Sequence, residues 1–158
     1  MATQKRSAKR KPHNSVSKKQ QEPVHPEDIH LVQGKGSKGR GGDPGGAYWH
    51  INVIDQRVGY VYINIIDEAP FGRHASLQIK VNAQHQGRHI GRVAYRKACE
   101  QSEHNEVIAH MRKSNIASRR AAEAADFQVV EDTSIPQLAM IWRREPKHDY
   151  ASSTTLIS

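Results

Sequence analysis

The chain has 158 residues, one cysteine, 36% apolar residues and a formal net charge of +8. That length suits one domain, the lone Cys99 can form no internal disulfide and fits a reducing, cytoplasmic setting, and no apolar run reaches the ~18 residues of a membrane span. The basic N-terminus has no apolar stretch behind it and so does not read as a secretory signal.

Charge and apolarity are unevenly placed. Residues 1–47 hold ten Lys/Arg against four Asp/Glu, whereas residues 48–158 hold fourteen against twelve. Residues 1–27 carry almost no apolar side chains and read as a disordered basic tail. Residues 28–47 read as a weak first strand, "DIHLVQ", and a flexible loop, "GKGSKGRGGDPGG", with seven of the chain's eleven glycines.

From Tyr48 the pattern sharpens. "YWHINVI" alternates Trp49, Ile51 and Val53 on one face, as a half-buried strand does. "DQR" is a tight turn, "VGYVYINII" (58–66) is β-branched and aromatic, and "DEAPFGR" (67–73) is a second turn. "HASLQIKV" (74–81) alternates again, completing an antiparallel meander. The period then changes to a helical one over about 90–103. A short strand follows at 106–111, an Ala-rich helix at 114–125 with a Ser/Asn start, and two strands at 127–132 and 137–144. Residues 48–146 thus form the folded domain, and 147–158 a polar C-terminal tail. The fold class is α/β of the α+β type: a mixed sheet with an antiparallel meander, a parallel β-α-β pair, a second helix and two last strands. A strand, helix and strand within ~35 residues imply a parallel pair with a right-handed crossover.

The turn between the third strand and its helix reads "NAQHQGRHIGR". Helix N-termini carry unpaired N–H groups and a positive dipole end, glycines admit a ligand close to the backbone, and the arginines add charge. The combination suits a phosphate or pyrophosphate; the plainer alternative is a helix start that uses glycine for turn geometry. The Gly-Lys-Ser/Thr end of a P-loop is missing. A dinucleotide fingerprint would lie early in a parallel sheet, and here three antiparallel strands come first.

The run Gln86-Gly87-Arg88-His89-Ile90-Gly91, followed by Arg92, resembles the pyrophosphate motif Gln/Arg-x-x-Gly-x-Gly/Ala of the GNAT superfamily of acetyl-coenzyme A-dependent N-acetyltransferases. His89 stands where the motif has its first glycine. "NIASRRAAEAADF" resembles the family's second helix, with Asn115, Ser118, Glu123 and Phe127 in register, Ala122 at the position of a tyrosine general acid and Asp126 at that of a glycine. The resemblance covers residues 48–144.

It implies acetyl-CoA as cofactor. The pantetheine would lie against Ile79 and Val81, the pyrophosphate on the amides of Gly87 to Arg92, and Asn115 and Ser118 would face the pantetheine or thioester. The acceptor amine would attack the thioester directly, with a backbone amide stabilising the oxyanion. A general base is needed to hold that amine neutral. Ala75 and Ser76 stand on the third strand where many members carry a Glu, which leaves Glu106 and His74 as candidates, with His110 similar to His74. The family's helices between the first two strands, which line the acceptor site, have no counterpart in the Gly-rich stretch, so Trp49, Tyr60 and Tyr62 become candidate acceptor-cleft residues. This short acceptor side suits a homodimer. No His spacing supports a metal site. Two other readings stand beside the enzyme: a catalytically weak CoA-binding or interaction protein of the same fold, and weak nucleic-acid contact through the basic residues 1–47. The acceptor, small molecule or protein, is not legible.

Overall fold

The computed structural model describes residues 21–132 and 134–146; the expected C-terminal tail and most of the expected basic tail lie outside these residues. One seven-stranded sheet forms the centre. Its strands in chain order are β1 (Ile29–Gly34), β2 (Ala47–Val53), β3 (Gln56–Glu68), β4 (Gly72–Val81), β5 (Glu106–Met111), β6 (Gln128–Val129) and β7 (Leu138–Arg143), and their order across the sheet is β1-β2-β3-β4-β5-β7-β6. Helix α1 (Ile90–Gln101) connects β4 to β5, and α2 (Ile116–Ala124) follows β5. β1 to β4 form the expected antiparallel meander, β5 runs parallel to β4, and β7 runs antiparallel to β5.

Alternation decides which face is covered. Trp49, Ile51, Val61, Ile63, Ala75, Leu77, Val107, Ala109 and Met140 belong to one buried cluster together with Ile90, Ala94, Tyr95, Ala98 and Cys99 of α1. Burying that apolar surface is the main force holding helix to sheet. Tyr48, Tyr60 and Tyr62 stand on the opposite, half-exposed face, with near-parallel rings 6.0–6.5 Å apart. At the far end of α1, Arg144 donates to the carbonyls of Cys99, Ser102 and His104 at 2.8–3.1 Å, placing a cation where the helix dipole is negative.

Four expectations are corrected. The tail does not run unbroken to residue 27: Val24 is buried, its N–H donates to the Arg88 carbonyl at 3.0 Å, and Pro26–Asp28 form a 3-10 turn. The first strand is not weak, since all six of its residues pair with β2. The Gly-rich stretch is not a free linker. Asn64 of β3 accepts from Gly41 N–H at 2.7 Å and donates to the Gly39 carbonyl at 2.8 Å, and Asp43 accepts from Gly39 N–H. No helix forms there, as its glycine content requires. The expected strand at 127–132 shrinks to two residues, Gln128–Val129.

The β2–β3 turn carries Ile54 with φ 54, and its side chain is 63% exposed. A β-branched residue is strained in left-handed backbone, and this one gains little burial in return. Ile54→Asn is expected to raise stability by about 1 kcal/mol, read as a higher urea midpoint with an unchanged slope.

Candidate functional site

The site is built where β4 and β5 part. Their parallel pairing consists of Ser76 with Ile108 and Leu77 with Ala109. Beyond Leu77, β4 continues to Val81 paired with β3 alone, so among the described residues no strand pairs with the edge of residues 78–81 that faces β5, and only the Val81 carbonyl carries a side-chain bond, from Gln86 Nε2. The half-buried Ile79 and Val81 lie on this edge. A chain of amide-rich character entering the gap would meet unpaired backbone donors and acceptors.

The turn at the top of the gap is built from below. A β-bulge between Ile51 and Asn52 shifts the register of β2 against β3 and makes Val58 the extra residue. Its carbonyl accepts from Asn82 N–H at 2.8 Å, which fixes the direction in which β4 leaves the sheet. Ala83–His85 then form a 3-10 turn, and Gln86 Nε2 donates back to the Val81 carbonyl at 3.0 Å. Gly87 follows with φ 79 and no atom within 4 Å of where a Cβ would be.

His89, the residue in place of the motif glycine, is the N-cap of α1 and has φ 62, ψ 18. It keeps the left-handed backbone that a glycine would adopt. Its side chain makes no capping bond, and no acidic residue lies in the first turn. The N–H groups of that turn are therefore free of any side-chain acceptor, and Arg88 and Arg92 flank them. An anion fits this arrangement. At Gly91 a Cβ would make an ordinary contact, 3.5 Å from the Ala121 Cβ of α2, so only a larger side chain would be crowded there.

The second motif caps α2. Asn115 is its N-cap, and Asn115 Oδ1 accepts from Ser118 N–H at 3.1 Å. At the other end Asp126 has φ 69, Phe127 N–H donates to the Ala122 carbonyl and Asp126 N–H to that of Glu123. These are the two bonds of a Schellman motif, so the aspartate closes the helix as a glycine would. Ala122 is fully buried. The hydroxyl near this place comes instead from α1: Tyr95 OH lies 3.0 Å from Ser118 Oγ, and the Tyr95 ring meets Phe127 edge-on. Burial raises the pKa of this phenol, against a smaller opposite effect of the Ser118 bond. Sequence spacing hid Tyr95 because it lies on the buried stripe of α1, where a tyrosine reads as core.

The two expected bases separate. Glu106 starts β5, is exposed, and pairs with Arg143 of β7 at 3.3 Å. That is the opposite end of the parallel pair from the turn. His74 is half-buried on the face away from the helices, with Nδ1 2.7 Å from the Gly72 carbonyl and Nε2 3.3 Å from Nε2 of His110. Of the candidate acceptor-cleft residues, Trp49 is core and Tyr60 and Tyr62 are on the open face. Cys99 is buried and desolvation pushes its thiol pKa up, so it is no nucleophile.

The sequence matches the model of the Acetyltransferase (GNAT) family over residues 12–127. The fold is similar to that of Campylobacter jejuni N-acetyltransferase PseH in complex with acetyl coenzyme A (TM-score 0.51, 15% identity, 65% of this chain and 71% of that one). It is also similar to an acetyltransferase from Thermus thermophilus (TM-score 0.52, 20% identity, 65% and 66%). A third likeness is to aminoglycoside acetyltransferase AAC(6')-Ib in complex with coenzyme A and kanamycin (TM-score 0.51, 17% identity, 63% and 67%). No curated protein sequence matches this chain.

Proposed function

This chain belongs to the acetyltransferase (GNAT) family, and from that premise we propose that it binds acetyl-CoA between β4 and β5 and transfers the acetyl group directly to an amine. The observation that carries the reading is the α1 N-terminus at the mouth of the open β4 edge, with His89 in left-handed backbone and no side chain competing for the amides. In this reading the amides of Gly87 to Arg92 take the pyrophosphate, helped by Arg88 and Arg92. The β4 edge at Ile79 and Val81 takes the pantetheine. Asn115 orders the start of α2, and Ser118, held by Tyr95, borders the same opening. The bound cofactor supplies an activated acetyl thioester. Likeness to proteins crystallised with coenzyme A or its acetyl ester supports the cofactor, and the kanamycin complex among them supports an amine as acceptor.

Of the two expected bases we set Glu106 aside because of its exposed pairing with Arg143, and keep His74 in the site through its contact with His110, 3.3 Å between their Nε2 atoms. No helix among the described residues is long and apolar enough to cross a membrane. The cytoplasmic setting, the homodimer and the nucleic-acid contact through residues 1–47 rest on the sequence alone.

Calorimetry with acetyl-CoA on the full chain and on Gly91→Trp tests the reading. Indole at this position would fill the space in front of the helix amides and press on Ala121. The expected result is a micromolar site in the full chain that disappears in the variant, with helical circular dichroism retained. Absence of binding in the unchanged chain would overturn the proposal.

A further inference from the structure

Beside His110, on the face away from the helices, lies a hollow of about 410 Å³ that the pyrophosphate and pantetheine contacts do not use. Its walls include Glu68 at the end of β3, Pro70 and Phe71 of the β3–β4 turn, His110 of β5, and Ile135 and Pro136 of the segment before β7. Phe71 meets the rings of both His74 and His110 edge-on, with centroids 5.4 and 5.8 Å away.

The hydrogen bonds fix the tautomers. A carbonyl only accepts, so the 2.7 Å contact to Gly72 puts the His74 proton on Nδ1. With both imidazoles neutral, His74 Nε2 then carries the lone pair and His110 Nε2 donates to it across 3.3 Å. That leaves the lone pair of His110 on Nδ1, for which there is no partner among the described residues. Burial, and then the neighbouring His74, lower the pKa of His110, while Glu68 acts in the opposite direction. Among the described residues no other charged side chain lines the hollow: the β6–β7 segment contributes Ser134, Ile135, Pro136 and Gln137. In a chain of net charge +8 the described lining of this hollow holds a single carboxylate and no fixed cation.

We propose that this hollow is the acceptor site, that it takes a cationic primary amine with an apolar body, and that His110 receives the ammonium proton while His74 positions it. The proposal rests on the acetyl-transfer reading above and adds the acceptor's chemical class. The ammonium gives one proton to Nδ1 of His110. The neutral nitrogen forms the C–N bond to the acetyl carbon as the C–S bond breaks. A second nitrogen proton goes to the departing thiolate, and His110 later returns its proton to water. Glu68 attracts the incoming ammonium and then stabilises the imidazolium. An amine bearing a carboxylate next to its nitrogen would meet Glu68 unfavourably.

The test uses the full chain with 2-phenylethylamine and phenylalanine as probes. In the absence of acetyl-CoA, 2-phenylethylamine is expected to shift the His110 imidazole resonances, phenylalanine to leave them in place, and Glu68→Gln to weaken the response at least fivefold. With acetyl-CoA, His110→Ala is expected to lose on the order of a hundredfold in kcat, with acetyl-CoA affinity by calorimetry unchanged. Glu68 holds the His110 pKa up, so Glu68→Gln should move the acid limb of the kcat/KM profile to lower pH while raising KM. Turnover of His110→Ala within twofold of the unchanged chain, or phenylalanine preferred over 2-phenylethylamine, overturns the acceptor assignment and leaves acetyl-CoA binding standing. If acetyl-CoA itself fails to bind, the cofactor reading falls, and the resonance shifts still decide for or against amine binding in the hollow.

Discussion

Gly59→Ala should lower stability by about 3 kcal/mol, at the upper end of what overpacking costs, and the melting temperature by roughly 10 °C for a chain of this size. Gly59 is buried in β3 opposite Val81, and a Cβ there would overlap the Lys80 carbonyl oxygen and lie 3.0 Å from the Val81 Cα. Those are backbone atoms, so nothing can rotate aside; β3 and β4 must separate. The separation falls next to the bulge at Val58, whose carbonyl holds Asn82 at the start of the α1 turn. The variant should therefore lose acetyl-CoA affinity more steeply than its melting temperature alone explains. Gly72→Ala is the comparison. A Cβ there meets nothing within 4 Å, and only its φ of 65 opposes a side chain, at about 1 kcal/mol. Equal melting temperatures for the two variants would refute the argument.

The residues proposed to hold the cofactor were legible because they follow chain order: alternation marked β2 to β4, and the change to helical period marked the turn. The two departures from the motif glycines were legible as departures, but their consequence was not. His89 and Asp126 both keep left-handed backbone, with φ of 62 and 69, so the turn and the helix end retain glycine geometry with side chains added. That outcome depends on neighbours that hold the backbone in place, which no single-residue propensity expresses. The His74–His110 pair was hidden for a different reason. The two residues are 36 positions apart, and they meet only because the fold sets β5 beside β4, with Ser76 and Leu77 paired to Ile108 and Ala109. Likewise β6 is short because the strand pattern at 127–132 has only β7 to pair with, over Gln128 and Val129.

The N-terminal segment carries the second prediction. Its polar composition hides Val24, one apolar residue in a run of charge, yet Val24 is 8% exposed and joins the core cluster. Two main-chain contacts run from this segment to the turn: Val24 N–H to the Arg88 carbonyl at 3.0 Å, and Arg88 Nε to the Glu22 carbonyl at 3.3 Å. Residues 22–24 therefore brace the residue just before His89. Val24→Asp would place a carboxylate in the core cluster that Val24 now joins, and burying a charge there costs more than the segment's few contacts return, so the segment should leave the surface. The sheet does not depend on it, since β1 pairs fully with β2 from Ile29 onward. Arg88 would lose both its anchor and the partner of its carbonyl, and the helix amides would have to be ordered by the ligand. Acetyl-CoA affinity is then expected to fall about tenfold, or ~1.4 kcal/mol, with a melting temperature within a few degrees of the unchanged chain. Glu22→Ala should change neither, because Glu22 acts through its backbone carbonyl. Affinity of Val24→Asp within twofold of the unchanged chain would mean that the segment lies on the turn without supporting it.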